Sequence, residues 1–556
     1  MRLGGLRLLA VATGLVSSLL AAAPAPGNDK ARAKAGKEGV ATESLLASRA
    51  ALATLRGGGT AADAAVTAAL VAGVVSPSSS GLGGGGFALV WQARESAATI
   101  LDFRETAPAV LDVDAFDRRP LPAAERGKLV GVPGESLGLF ELHRRFGKRP
   151  WQELVAPAER LAREGFAVEG HLAGTLADKG AENYRRAASI DRSFWIGGKP
   201  AVAGARVTRK ALARTLARLK SEGPRSIQEG AIAQELVTAA RAFGSGITRE
   251  DLAAYRVRER KPLRFEWEGH EVLTMPPPSA GGVLLAEVLR SYGARELAEM
   301  GARTPLRVHL VVEAMRGAFA DRARYLGDPD YLPVDVERLI APSRIAARKA
   351  GAHPDRTRTI RALAGEDHGT HAIVVADAAG NVVSLTTTVN TAFGAEIEGE
   401  TSGILLNDEL DDFTSRKMTT GLGISSPPNQ ARPLVRPTSS MTPTLVLRSG
   451  RPRVALGGSG GPRIPVNLTQ VLLALLADGE SPEAAVSGAR FRPGFGEFTL
   501  AVESAFSSAD VADLKKRGEV VQSGDDSASA IQVLSFDADG LRGAADPRKH
   551  GAALVR

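Results

Sequence analysis

Cysteine is absent from all 556 residues of the chain. The protein therefore has no disulfides and no thiolate ligands for zinc, so its stability must come from the packing of its core. Aromatic residues are also few, at 5% of the sequence, whereas hydrophobic residues make up 44%. A chain of this length and hydrophobic content can build a sizeable core, which argues against a disordered protein.

Long hydrophobic runs are missing from most of the sequence, because Gly, Pro or a charged residue interrupts every apolar stretch from Ala61 onward. The N-terminus has a charged start, an apolar run over residues 8–23 and then Pro24-Ala25-Pro26-Gly27. This pattern is typical of a secretory signal peptide, and the run is shorter than the ~20 residues of a membrane-spanning helix. We predict a signal peptide at residues 1–25, a periplasmic or secreted location, and a soluble mature protein with no membrane anchor.

The charge pattern and the scarcity of histidine narrow the partners. The net charge is +8, but Lys and Arg are interspersed with Asp and Glu, and few aromatic residues could stack on bases. We therefore expect no nucleic-acid partner. Among eight histidines, His368 and His371 lie beside Glu366 and Asp367. Because this segment is predicted to run from a loop into a strand, it lacks a scaffold to fix metal ligands, and we expect no metal and no cofactor.

Local patterns predict helices packed on a largely antiparallel sheet system. Residues 60–75 form an apolar helix that Thr60 can cap, and a glycine-rich loop and a strand over 87–91 follow. Helical signals dominate residues 134–260 and recur at 285–292, 306–325 and 466–476. Strands are predicted at 99–104, 372–376, 382–389, 444–447 and 454–456. The strands over 372–376 and 382–389 flank a glycine-containing turn and therefore predict a hairpin.

Two common motifs, the phosphate-binding loop and the serine hydrolase elbow, are not supported by the neighbouring sequence. The glycines at 83–86 are not followed by Gly-Lys-Ser/Thr, so they do not form a phosphate-binding loop. Gly458-Ser459-Gly460 only partly matches a serine hydrolase elbow, and no histidine follows it before His550. Hydroxyl groups beside glycines remain as the candidates for chemistry, and they occur at Thr370, 386–388, Ser439-Ser440 and 457–461.

Several blocks of sequence share their order with one known family. In the C-terminal half they are Gly369-Thr370-His371, 386–394, 402–407, Asp411-Asp412-Phe413, 436–441 and 458–463. Elsewhere they are 62–66, 80–87, 102–105, 275–282, 319–322, 327–329 and 544–548. Together these blocks resemble the γ-glutamyltransferase (glutathione hydrolase) family over nearly the whole mature chain. The resemblance implies the N-terminal nucleophile hydrolase fold, an α+β four-layer αββα sandwich.

The resemblance also implies how the chain is organised and how it reacts. The precursor would cut itself between Gly369 and Thr370 into a large chain, residues 26–369, and a small chain, residues 370–556, which form a heterodimer. Thr370 would then be the nucleophile, and its own freed α-amine the base. One residue would supply both groups, so hydrolysis needs no catalytic His, Cys or metal.

Matching the family residue by residue assigns the remaining roles. Thr388 would orient Thr370, and the backbone N–H groups of Gly460 and Gly461 would form the oxyanion hole. The substrate α-carboxylate would be held by Arg104, Ser439 and Ser440. The substrate α-amine would be held by Asn390, Glu409 and Asp412. The implied substrates are glutathione and other γ-glutamyl compounds, with water or an amino acid or peptide as the acceptor.

Two alternatives remain open at the level of sequence. A cephalosporin (glutaryl) acylase of the same fold would share the maturation chemistry, but a glutaryl group has no α-amine for Glu409 and Asp412 to bind. An inactive exported binding protein would keep the fold and remain uncut. The chain also departs from the family at His371, where a second Thr or Ser is more common, and in residues 414–434, which are long enough for the family's lid but contain no aromatic residue to act as its gate.

Overall fold

The computed structural model of the protein describes residues 36–178, 192–358, 368–417, 426–494, 498–525 and 528–556. The predicted signal peptide, Glu366, Asp367 and the middle of the predicted lid lie outside these residues. Among the residues described, no helix combines the length and the apolar character that crossing a membrane requires.

The described elements alternate between helices and strands along the chain. The α-helices are Leu45–Arg56, Ala61–Val75, Glu135–Phe146, Trp151–Glu164, Gly170–Asp178, Lys210–Glu222, Arg225–Gln228, Gly230–Arg241, Arg249–Ala254, Gly281–Leu289, Ala294–Met300, Pro305–Tyr325, Val336–Leu339, Pro342–Ala350, Arg463–Leu476, Pro482–Ser487 and Ser508–Lys516. Short 3-10 helices lie at Val113–Asp117, Ala123–Leu129, Arg192–Phe194, Glu409–Asp412, Pro427–Asn429 and Pro547–Lys549.

Two large sheets form the centre of the molecule. The seven-stranded sheet has the order Ala552–Val555, Gly39–Thr42, His368–Ala376, Val382–Thr391, Gly85–Gln92, Ala97–Asp102 and Arg258–Arg260. The six-stranded sheet has the order Gly540–Ala545, Ala530–Asp537, Arg451–Ser459, Thr444–Arg448, His270–Thr274 and Leu263–Trp267. All pairings within both sheets are antiparallel.

Smaller sheets lie outside this pair. They are formed by Ile397–Glu398 with Leu405–Leu406, by Phe491–Pro493, Thr499–Val502 and Val520–Ser523, by Phe166–Ala167 with Arg206–Val207, and by Trp195–Ile196 with Lys199–Pro200.

The side chains of the sheets alternate between two cores, because successive residues of a strand point to opposite faces. Phe87 and Leu89 of the seven-stranded sheet pack with Leu445 of the six-stranded sheet in one apolar core. Ala88 and Val90 instead pack against the helix Ala61–Val75 and its neighbours. Val446 packs on the other side with the helices Gly281–Leu289 and Pro305–Tyr325. The result is helix, sheet, sheet, helix, so the predicted four-layer αββα sandwich is confirmed.

Local predictions were confirmed where the pattern was strong. Thr60 caps Ala61–Val75, since its side chain accepts a hydrogen bond from the Asp63 N–H and Asp63 returns one to the Thr60 backbone. The predicted strands and helices are present, with ends shifted by a few residues. The predicted helix 285–292 begins earlier, at Gly281, and ends at Leu289. A Cβ at Gly282 would lie 2.1 Å from the Met275 carbonyl oxygen, so glycine is needed there for close packing.

Candidate active site

The strand that carries Thr370 lies in the middle of the seven-stranded sheet, next to Val382–Thr391. Thr370 faces Thr388, whereas the preceding Gly369 faces Asn390, because the register shifts between Gly369 and Thr370. Such a bulge leaves one partner residue unpaired and bends the chain locally. The predicted cleavage bond therefore lies at an irregularity inside an otherwise regular hairpin.

Gly369 has no room for a side chain. A Cβ atom there would lie 2.1 Å from the Ser78 carbonyl oxygen and 3.0 Å from the Thr391 carbonyl oxygen. The carbonyl of Gly369 itself accepts a hydrogen bond of 2.7 Å from the Thr388 hydroxyl. Close packing and this hydrogen bond fix the carbonyl beside the bulge.

Thr370 and Thr388 are both 2% exposed. Their hydroxyl oxygens are 3.5 Å apart, and the Thr388 hydroxyl also accepts the backbone N–H of Asn390 at 2.8 Å. Asn390 in turn donates its side-chain amide to the Asp408 carbonyl at 3.1 Å. Burial, partly offset by hydrogen bonds from Thr391, raises the pKa of Asp408 to about 7.

A tight glycine turn brings the six-stranded sheet to the same place. Gly460 and Gly461 follow the strand Arg451–Ser459 and have φ of 112° and 56°, which is backbone that favours glycine. A Cβ at Gly460 would lie 2.5 Å from the Ser529 side chain. The helix Arg463–Leu476 begins two residues later, so its N-terminal partial positive charge adds to the field around the turn.

One cation and two carboxylates form a buried group on another side of the site. Arg104 Nη1 pairs with Glu409 Oε1, and Arg104 Nη2 lies 2.5 Å from Asp412 Oδ2. The Arg104 Nε donates to the Pro437 carbonyl at 3.1 Å. The second carboxylate oxygen of Glu409 is buried and has no hydrogen-bond partner among the described residues. We call Arg104, Glu409 and Asp412 the cavity cluster.

A second arginine contacts one of the two predicted serines. Arg322 Nη1 donates to the Ser440 hydroxyl at 2.5 Å. Burial and the nearby Arg104 lower the pKa of Arg322, while Asp412 opposes them. Ser439 accepts the backbone N–H of Met441 at 3.1 Å. The Ser440 hydroxyl is thus held on one side by a cation.

These groups meet around one cavity with an empty volume of about 260 Å³. Its lining includes nine of the predicted site residues, namely Arg104, Thr370, Thr388, Asn390, Glu409, Asp412, Ser439, Ser440 and Gly461, together with Met441, Pro462 and Ile464. Gly369 and Gly460 do not line it, but each is bonded in the chain to a residue that does. Within the described ranges, no group of three His, Asp or Glu residues is arranged to hold a metal ion.

Three residues beside the site had no role assigned from the sequence. Arg322 was part of a recognised block, but nothing in that block indicated its contact with Ser440. Lys549 and Glu43 lie near the two ends of the chain and meet beside Thr370. These two residues are linked to the site only by their proximity in the folded structure, which no local sequence pattern indicates.

Comparison with known proteins agrees with this geometry. The sequence model of the family described as Gamma-glutamyltranspeptidase matches residues 47–556. The chain belongs to the gamma-glutamyltranspeptidase family. A relative in this family, Glutathione hydrolase 2 of Arabidopsis thaliana, is 38% identical over 78% of this chain and 76% of its own length. The glutathione hydrolase proenzyme of Escherichia coli is 32% identical over 98% of this chain and 97% of its own length.

Two solved structures share the fold of this chain. A cephalosporin acylase from Bacillus halodurans has a TM-score of 0.84 and 25% identity, covering 96% of this chain and 98% of that one. The gamma-glutamyltranspeptidase of Helicobacter pylori has a TM-score of 0.54 and 32% identity, covering 57% of this chain and 91% of that one. Both the acylase and the transpeptidase therefore share the architecture, and the choice between their activities depends on the site.

Proposed function

We propose that the protein is a self-processing γ-glutamyltransferase of the glutathione hydrolase type. The observation that carries this proposal is the placement of the Thr370 hydroxyl in one cavity with the cavity cluster. A nucleophile beside one cation and two carboxylates suits a substrate whose end carries both a carboxylate and an ammonium group. Family membership and the names of the relatives support the same substrate class.

Maturation begins with attack of the Thr370 hydroxyl on the carbonyl carbon of Gly369. The C–N bond breaks, the amide nitrogen takes up a proton, and an ester links Gly369 to the Thr370 oxygen. Water then hydrolyses the ester and leaves a Gly369 carboxylate and a free Thr370 hydroxyl and α-amine. The hydrogen bond from Thr388 to the Gly369 carbonyl supports this step, because it polarises the bond under attack. The products are a large chain, 26–369, and a small chain, 370–556, that stay together as a heterodimer.

In turnover, the Thr370 α-amine accepts the hydroxyl proton, since an unperturbed α-amine has a pKa of about 7.7–8.0. The oxygen attacks the γ-carbonyl of the substrate, and the N–H groups of Gly460 and Gly461 stabilise the oxyanion. Each such donor contributes about 3–4 kcal/mol to transition-state binding in other hydrolases. The amine leaving group departs with a proton, and water or an acceptor amine releases the γ-glutamyl group from Thr370.

The substrate head group meets two sets of side chains. Arg104, Ser439 and Ser440 hold the α-carboxylate, and Asn390, Glu409 and Asp412 hold the α-ammonium. Without substrate, Arg104 pairs with both carboxylates, and one negative charge is left over for an incoming ammonium group. The unpartnered Glu409 oxygen supports the ammonium site, because a buried carboxylate oxygen with no donor gains a charge-assisted hydrogen bond when an ammonium arrives.

A cephalosporin acylase activity is the second candidate, and the likeness to the Bacillus halodurans structure favours it. Its glutaryl substrate has no α-amine, so it would leave the Glu409 oxygen without a donor. That difference favours the γ-glutamyl substrate. An inactive binding protein is the third reading, and it predicts a chain that stays uncut.

The N-terminal pattern supports export, and we propose that residues 1–25 are removed and that the enzyme acts in the periplasm or outside the cell. The proposed partners are glutathione and related γ-glutamyl compounds, with water, amino acids or peptides as acceptors.

The proposal is tested on protein expressed without residues 1–25. Intact mass and N-terminal sequencing are expected to give two fragments, the smaller of which starts at Thr370. Thr370→Ala is expected to remain a single chain without activity. The matched control is Thr238→Ala, because Thr238 lies exposed on the helix Gly230–Arg241 and bonds only along that helix in the described contacts.

Substrate choice is measured on the mature protein by comparing γ-glutamyl and glutaryl anilides. We expect kcat/KM for the γ-glutamyl anilide to be at least about a hundredfold higher, because a missing charge-assisted partner in a buried site costs on the order of 3 kcal/mol. Preference for the glutaryl anilide would establish the acylase instead. A single uncut chain in both wild type and Thr370→Ala would refute self-processing and leave the binding protein.

A further inference from the structure

Lys549 is a buried cation beside the proposed nucleophile. It lies in the 3-10 helix Pro547–Lys549 and is 2% exposed. Its Nζ donates to the Ser459 hydroxyl at 2.8 Å and lies 3.5 Å from the Thr370 carbonyl oxygen and 3.4 Å from Glu43 Oε2. A lysine is seldom buried without a partner, and these three contacts account for its three N–H bonds.

Those contacts join the two halves of the site. Thr370 belongs to the seven-stranded sheet, whereas Ser459 is the last residue of its strand in the six-stranded sheet and precedes Gly460. Glu43 adds a second link, because its Oε1 accepts the backbone N–H of Ala372 at 3.0 Å, two residues beyond Thr370. One ammonium group therefore contacts both the nucleophile residue and the strand end that carries the oxyanion glycines.

The segment that carries Lys549 is itself fixed. Asp546 precedes the 3-10 helix and accepts hydrogen bonds at 3.2 Å from both Arg490 and the Ile531 backbone, and at 3.1 Å from the Arg548 backbone. Because Asp546 and Ile531 tie the segment to the six-stranded sheet, Lys549 is held in place although it lies near the C-terminus.

The other titratable groups around Lys549 are few. Burial and the charge of Lys549 lower the pKa of His371 to about 3, and burial with Lys549, His371 and His550 lowers that of His171 to about 3. These two imidazoles are neutral at ordinary pH. Burial raises the pKa of Glu43, and Lys549 opposes it. Lys549, with Glu43 as its counter-ion, is therefore the cation in contact with the Thr370 backbone, while Arg104, Glu409 and Asp412 face Thr370 across the cavity.

We propose that Lys549 is a positioning residue for Thr370, holding it in register with the Gly460-Gly461 turn during both self-cleavage and turnover. This inference rests on the proposed function. Its positive charge has a second effect after cleavage, because a cation close to the new α-amine disfavours the protonated form. More of the amine is then free to act as the base near neutral pH.

The test compares Lys549→Met and Lys549→Arg with wild type, by the fraction cleaved over time and by kcat and KM for a γ-glutamyl anilide from pH 5 to pH 10. For Lys549→Met we expect slower cleavage, kcat lower by about tenfold or more, and KM within about twofold. The acid limb of its profile should move up by about half a pH unit or more, because loss of the cation raises the pKa of the amine. Lys549→Arg keeps the charge and should restore the acid limb.

Two further variants separate positioning from folding. Lys349→Met removes a lysine of the helix Pro342–Ala350 that pairs with Glu296. This control should leave the cleavage rate, kcat, KM and the pH profile at their wild-type values. Ser459→Ala keeps the cation but removes its contact to the oxyanion strand, so we expect a kcat loss of about threefold with no shift of the acid limb. Ser459→Ala also provides the test if Lys549→Met does not fold.

The outcomes distinguish this inference from the proposed function. If wild type is cut at Thr370 and is active, but Lys549→Met and Ser459→Ala keep its kcat and pH profile, the positioning role is wrong and the proposed function stands. The same holds if Lys549→Met only lowers the melting temperature and the cleaved enzyme has wild-type kinetics. If wild type itself stays uncut, both are wrong.

Discussion

Two buried arginines in this molecule hold two carboxylates each, and they lie in different surroundings. Arg104 of the cavity cluster faces the cavity, and the side chain of its partner Asp412 is 17% exposed. Arg316 pairs with Glu313 and Glu519, and all three side chains are 0% exposed. We call Arg316, Glu313 and Glu519 the helix cluster, because Arg316 and Glu313 belong to the helix Pro305–Tyr325.

The two clusters also differ in how completely their carboxylates are hydrogen-bonded. Both carboxylate oxygens of Glu519 accept hydrogen bonds from Arg316, and Oε1 also contacts His309 at 2.7 Å. In the cavity cluster, by contrast, one oxygen of Glu409 has no partner among the described residues. Carboxylates whose oxygens are all hydrogen-bonded stabilise a particular packing, whereas a carboxylate oxygen without a donor beside a cavity retains capacity for a ligand. We therefore expect the same ion pairing to serve structure in the helix cluster and, under the proposed function, substrate recognition in the cavity cluster.

The largest expected effect comes from Arg104→Gln in the cavity cluster. We expect kcat/KM for a γ-glutamyl anilide to fall by about a hundredfold to a thousandfold, because the substrate carboxylate loses a charge-assisted pair and two carboxylates lose their cation. Steady-state kinetics on the mature enzyme measures the loss. Activity within threefold of wild type would show that Arg104 does not bind the substrate.

Arg316→Gln makes the same substitution in the helix cluster and is expected to act on stability instead. The substitution leaves Glu519 buried without an arginine and Glu313 with Arg358 alone, which should lower the free energy of unfolding by about 3–5 kcal/mol. Denaturant unfolding measures this change, with the exposed Arg295→Gln as its control. The folded fraction should keep kcat/KM within about threefold of wild type, and a loss matching that of Arg104→Gln would erase the distinction between the clusters.

The smallest expected effect concerns pH. Hydrogen bonds and charge from His309 and Arg316 outweigh burial and lower the pKa of Glu519. A carboxyl whose folded pKa is depressed contributes stability that is present above its unfolded pKa and lost as the pH falls through its folded pKa. Glu519→Gln should therefore melt several degrees below wild type at pH 7, and the difference in melting temperature should shrink as the pH falls below 4.5, the ordinary pKa of a glutamate side chain. Glu337→Gln, on an exposed side chain, should follow wild type throughout. If the difference in melting temperature stays the same at low pH, ionisation of Glu519 does not contribute to stability in this way.

Sequence patterns predicted the parts of this fold that depend on neighbouring residues. The helix cap at Thr60 and the two strands of the hairpin that carries Thr370 depend on residues close together in the chain, so a short stretch of sequence was enough to predict each of them. Most of the cavity lining followed from family blocks, because those blocks keep Thr370, Asn390 and Asp412 in a fixed order. The roles of these residues stay predictions until the variants above are measured.

The contacts of Lys549 and Arg322 were not predictable in this way. Lys549 meets Glu43 from the other end of the chain, and Arg322 meets Ser440 across 118 residues. Such contacts depend on how the two sheets stack, and no local pattern encodes that distance. The start of the helix Gly281–Leu289 was placed four residues too late for a related reason, because Gly282 is required by its close approach to the Met275 backbone, a contact that lies outside the helix.

The strand order of the seven-stranded sheet has a consequence for the proposed cut. The strands that precede Gly369 are Gly39–Thr42, Gly85–Gln92, Ala97–Asp102 and Arg258–Arg260, and those at or beyond it are His368–Ala376, Val382–Thr391 and Ala552–Val555. The two sets interleave, because Gly39–Thr42 lies between Ala552–Val555 and His368–Ala376, and Val382–Thr391 pairs with Gly85–Gln92. Cleavage before Thr370 would therefore give two polypeptides whose strands remain hydrogen-bonded to each other in one sheet. Neither chain can dissociate unless the hydrogen bonds of the sheet break. The two chains would therefore copurify and separate only on denaturation.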